Sequence, residues 1–199
     1  MSVIVELPRT WVAGLERRLV TATSQTPSPF TGTVEVQDWG GEWWEYEIEF
    51  AAQSGPLARA VSAALTALGS GRGLLLFADP SITPKSLAQP ITLATAVSGG
   101  NVVQSQGWPP GRPALASGDF ISIGTARETR LHQIAFDARA DSTGVATLTL
   151  FPALRRALPA NTQLEVNHPQ VLLRPTSAVP TRIERVARHR FTLSAREAL

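Results

Sequence analysis

The chain has 199 residues, of which 43% are hydrophobic and 17% charged, with a formal net charge of +2 and no cysteine. That length supports one domain, or one domain carrying a substantial insertion, around a proper core. The missing thiols exclude disulfides, thiolate metal sites and a cysteine nucleophile, and the small charge leaves a thin footprint for nucleic acid.

The opening residues, Met1 to Pro8, lack a basic region followed by a long apolar stretch, so no signal peptide is expected. Val3, Val5 and Leu7 alternate in a short first strand that Pro8 ends. Residues 17–26 form a threonine-rich second strand and 33–38 a third, with Gly40-Gly41 expected to turn a tight hairpin. The run from Trp43 to Phe50 follows. At period two it sends Trp44, Tyr46, Ile48 and Phe50 to one face and Glu45, Glu47 and Glu49 to the other. This is a strand packed on one side and carrying a carboxylate row on the other.

A helix is predicted over residues 55–68. Ser54 stands at its cap, Pro56 falls in its first turn, and Gly69 stops it. Leu57, Val61, Ala64, Leu65 and Leu68 make its apolar stripe. Residues 73–78 read as a short buried strand, too short an apolar run to span a membrane, so a soluble protein made in a cytoplasm is expected.

Beyond Pro80 the texture changes to glycine- and proline-rich turns between short strands. These are predicted at 91–97, 101–106, 119–124, 129–136, 145–151, 163–167 and 170–174, together a small barrel or rolled sheet. Pro175 and Pro180 mark a linker, and Thr181 to Leu193 is expected to return as one strand to the first sheet. The fold class expected is mainly β. An outer β-sandwich (1–80 plus 177–199) with one flanking helix carries an inserted β-barrel domain (84–176).

No catalytic constellation emerges. His132 alternates with apolar neighbours in a strand, His168 precedes Pro169 in a turn, and His189 sits among arginines. None has ligand spacing, so neither a metal site nor a cofactor is expected. Asp119, Asp137 and Asp141 read as turn aspartates. Ser70-Gly71-Arg72-Gly73 follows a helix and precedes a strand, the reverse of a phosphate loop. Lys85 is the single lysine, so 17 of the 18 basic residues are arginines. Arg182, Arg185, Arg188 and Arg190 cluster near the C-terminus, suited to forking carboxylates across a subunit boundary. The glutamate row at Glu45, Glu47 and Glu49 is the expected counterpart of Arg185, Arg188 and Arg190. Trp108, in Trp108-Pro109-Pro110-Gly111, is a candidate platform for a sugar.

An ordered set of segments carries a resemblance: Ser28-Pro29-Phe30-Thr31-Gly32, Gly41-Glu42-Trp43-Trp44-Glu45, Phe77-Ala78-Asp79-Pro80, and Gly118-Asp119-Phe120-Ile121. Asp141-Ser142-Thr143-Gly144, Phe151-Pro152-Ala153-Leu154-Arg155 and the closing Phe191-Thr192-Leu193 complete it. Together they resemble the distal tail and minor tail proteins of long-tailed, siphovirus-type phages and prophages. One departure is Leu131-His132, where that family usually has an aromatic residue. The resemblance implies a non-catalytic virion protein at the tail tip, with a tail-tube-like sandwich forming a hexameric ring. Its implied partners are copies of itself, the tail tube protein and the hub or baseplate that carries fibres. The alternative is a carbohydrate-binding module for host-surface glycans, housed in the inserted domain. Neither nucleic-acid specificity nor membrane insertion is expected.

Overall fold

A computed structural model describes residues 3–184 and 188–199. It is mainly β, with a closed six-stranded barrel, a seven-stranded sheet and, among the described residues, one α-helix. In chain order the first elements are β1 (Ile4–Glu6), β2 (Val12–Pro27), β3 (Val34–Gln53), α1 (Gly55–Leu68) and β4 (Leu74–Phe77). Next come β5 (Ile91–Leu93), β6 (Gly100–Gln106), β7 (Pro113–Leu115), β8 (Phe120–Ile123), β9 (Arg130–Ile134) and β10 (Ala138–Arg139). The chain closes with β11 (Val145–Leu154), β12 (Gln163–Glu165), β13 (Val171–Pro175), β14 (Thr181–Glu184) and β15 (Arg188–Glu197).

The large sheet runs β1-β4-β13-β15-β3-β2, with β14 also paired to β15. Its aromatic strand, β3, lies between β15 and the edge strand β2. Trp44, Tyr46, Ile48 and Phe50 of β3 are buried, as the alternation demands, and pack with Phe191 and Leu193 of β15. Val61, Leu65 and Leu68 of α1 cover the same core, where they meet Leu75, Phe77 and Leu173. The helix spans the predicted residues and ends at Gly69, although the Ser54 side chain makes no capping hydrogen bond.

Two expectations about strands are corrected. Gly40-Gly41 does not turn a hairpin. β3 runs on through it, and the turn lies at 28–33, where Ser28 and Thr33 bond. The glycines instead sit in a bulge: Thr21 pairs with Glu42 but Thr23 with Asp38, so β3 accommodates extra residues, with Gly40 at φ +71°. The C-terminal segment is likewise not one strand. It folds as the β14–β15 hairpin, and β15 continues to Glu197 between β13 and β3.

The barrel closes in the order β11-β6-β5-β12-β8-β9 around Leu93, Ile121, Leu148 and Leu150. Residues 170–174, expected in the barrel, belong to the large sheet. There β13 pairs with β4 on one side and β15 on the other, its unbroken apolar run fitting a strand buried on both faces. The chain therefore leaves the sheet after Phe77 and re-enters it at Val171, its direct register partner.

Candidate functional site

Three places concentrate chemistry: the outer face of the large sheet, the arm made by β2 and β3, and the seam between sheet and barrel.

On the outer face, β3 presents Glu45, Glu47 and Glu49 as the alternation requires. Glu45 is half-buried and bonded within its own chain, accepting Arg18 Nη2 at 2.7 Å, Arg18 Nε at 2.9 Å and Trp43 Nε1 at 3.1 Å. The Arg18 hydrogen bond, then that of Trp43, holds its carboxyl below the usual range. Glu45 is thus not an unpaired member of the row, because β2 supplies the arginine that sequence reasoning sought at the C-terminus. Only strand register could reveal this, since Arg18 and Glu45 are paired positions of β2 and β3. Glu47 stands opposite Glu16, and Glu49 opposite Gly14, where a side chain would crowd the Glu49 carboxylate. Both Glu47 and Glu49 are exposed.

Arg188 and Arg190 are exposed on β15 and lie beyond Thr192, the register partner of Glu49. By the alternation of β15 they share the outer face with the glutamates. Arg182 of β14 is the register partner of Arg190. Arg185 lies outside the described residues. One face thus carries an acidic strip at Glu16, Glu47 and Glu49 and a basic strip at Arg182, Arg188 and Arg190. Within one chain they sit side by side rather than face to face.

The arm is the part of the β2–β3 hairpin beyond Thr21 and Glu42, past the last contacts of β3 with the sheet core and the barrel. Six residues of β2 and eight of β3, roughly 20 Å at strand rise, extend as a two-stranded ribbon. Phe30 at its tip is 95% exposed and Trp39 69%, with Val34 and Val36 also exposed. A ribbon of two strands is marginal alone in water, and among the described residues no strand pairs with the outer edge of β2.

The seam is polar and specific. The Trp44 indole sets its edge against Phe120, with centroids 5.7 Å apart, and donates through Nε1 to the Leu131 carbonyl at 2.9 Å. The Arg17 guanidinium lies 4.0 Å from the center of the Phe120 ring and pairs with buried Asp79, which also accepts from Tyr46. Desolvation, reinforced by Asp79, pushes the Tyr46 hydroxyl pKa well up, so it remains protonated. Glu42 accepts the Ala153 N–H at 3.0 Å, and buried Glu197 accepts the Trp44 N–H at 3.4 Å. Burial raises the Glu197 carboxyl above its ordinary value.

Beside the seam is a cleft of about 220 Å³, lined among others by Ile123, Arg130, His132, Leu154, Arg155 and Glu197. His132 is a hydrogen-bonded strand histidine. It is buried, and its Nδ1 lies 2.7 Å from the Pro152 carbonyl, which fixes the proton on Nδ1. Burial pushes its pKa down to about 4, with Arg155 and Arg130 adding to the effect and the Pro152 bond opposing it. The neutral ring's Nε2 lone pair is closed off from solvent and has no partner, so it is not placed to take a proton from a bound substrate.

Trp108 is 3% exposed and donates to Ser105 Oγ at 2.8 Å, inside the barrel core. The expected sugar platform is therefore corrected: the indole is buried among barrel-core side chains and has no open face. Asp141 caps its turn, accepting from Thr143 and Val145 backbone N–H groups, while Asp119 accepts from Ala116 and pairs with Lys85. Among the described residues no three His, Asp or Glu side chains gather as a metal site, and no helix is long and apolar enough to cross a membrane.

Neither a protein-family model nor a curated protein sequence matches this chain.

Proposed function

We propose that this chain is a non-catalytic structural protein of the distal end of a long phage tail. It forms a ring, of six copies, that joins the tail tube to the hub or baseplate. In this reading the seven-stranded sheet with α1 on its inner face is the tail-tube-like sandwich unit, and the barrel hangs outside it. The observation that carries the reading is the arm. A two-stranded ribbon of roughly 20 Å with Phe30, Val34, Val36 and Trp39 exposed has no core of its own to pack on. A neighbour supplies that core. The uncovered β2 edge and the paired acidic and basic strips of the outer face offer further self-complementary contacts.

Obligate ring contacts bury on the order of 2,000 Å² or more. The glycan-binding alternative loses its platform with the burial of Trp108. Negative-stain imaging and light scattering of the purified protein, alone and mixed with tail tube protein, test the proposal. Annuli with a central hole are expected. A protein that stays monomeric in both conditions overturns it.

A further inference from the structure

The cleft beside the seam is lined by both apolar and charged side chains. Its walls include Ile123, Leu154 and Leu158, and its rim carries Arg130, Arg155 and Arg156. At about 220 Å³ it is smaller than the pockets that take drug-sized ligands, and it suits a short apolar tail.

The guanidiniums are incompletely matched. Glu128 is bound to Arg156 at 2.9 Å. Glu197 is buried and accepts the Trp44 N–H. Half-buried Arg130 points Nη1 at the Thr129 carbonyl, 2.9 Å away, and at that of Arg127, with no carboxylate bonded to it. Arg155 is exposed, with no side-chain hydrogen bond or ion pair among the described residues, although its charge favours that of buried Glu197. Burial disfavours the charge on Arg130 and Glu197 favours it, while Arg155 and Arg156 add repulsion that a ligand anion would relieve. A guanidinium fork is the natural partner of a carboxylate.

We propose that this cleft binds a small carboxylate carrying a short apolar tail, the tail against Leu154 and Leu158 and the carboxylate on Arg155 with Arg130 behind it.

Hexanoate titrated into the full-length protein, followed by ¹H–¹⁵N shifts, tests it, with hexanol and acetate as controls. Shifts confined to the cleft and saturating around 1 mM are expected for hexanoate, with both controls weaker by about tenfold or more. Arg155→Glu, an exposed change that leaves the fold intact, should weaken hexanoate by about tenfold or more. Hexanol binding as well as hexanoate, an unchanged affinity in Arg155→Glu, or no shift at all overturns the proposal. Acetylated dialanyl-leucine, as free acid and as amide, separates the sources. Tighter binding of the peptide acid than of hexanoate identifies a polypeptide end, and weaker binding a free organic acid; either outcome supports a carboxylate site.

Discussion

Trp44 joins two cores with one side chain. Its ring fills the sheet core against Phe120, and its Nε1–H satisfies a carbonyl of β9. Trp44→Ala should therefore cost about 3–5 kcal/mol, measured by urea unfolding. Trp44→Phe retains most of the packing but leaves the Leu131 carbonyl without its donor, and should cost about 1 kcal/mol beyond the lost area. His132 makes a second prediction at this scale. Its folded pKa of about 4 lies below the ordinary 6.5, so between those values the unfolded chain binds the extra proton. Stability is then undiminished above about pH 6.5 and falls as pH drops toward 4, by about 3 kcal/mol in all. Glu197 works in the opposite sense. Its raised pKa makes the folded state the better proton binder just above the ordinary glutamate value, so its contribution declines as pH rises. Comparing urea midpoints at pH 7 and 4.5 for the native protein and His132→Gln isolates the histidine, since Glu197 is common to both. A slope that survives the substitution unchanged rules His132 out as its source.

The arm is the element whose removal separates folding from assembly. Joining Thr23 to Asp38 through an Asn-Gly turn deletes the tip yet keeps a register pair at the new hairpin. The excised residues contribute no buried side chain to either main core, so the melting temperature should stay within about 2 °C. Rings with tail tube protein should be lost, as read by light scattering. The helix, the aromatic strand and most barrel strands were legible because period and punctuation announce them: Pro56 and Gly69 bracket α1, and burial alternates at 44, 46, 48 and 50. The arm was not. Gly40-Gly41 carries the same local signal in a bulge as in a turn, and only the partner strand decides between them. β13 escaped because a short apolar run fits a barrel or a sheet equally well, and Arg18–Glu45 because cross-strand register is a tertiary fact.

For the whole molecule, the outer face is the place to test how copies meet. Reversing Glu47 and Glu49 together to arginine removes most of the acidic strip while touching no hydrogen bond of Glu45. The monomer should fold as before, its circular dichroism unchanged, and rings should fail to form; rings that persist take this face out of the interface. The seam, which fixes barrel to sheet through Trp44, Arg17, Glu42 and Glu197, had no sequence signature, because its partners are drawn from distant stretches of chain. Its existence bears on how such a protein can diversify. Phe77 and Val171 stand side by side, so everything between them enters and departs through a single doorway and is exchangeable as a cassette. The exchange carries one condition: any incoming head must offer an acceptor to the Trp44 indole and a flat apolar surface beneath Arg17, or the joint would be left wet and loose.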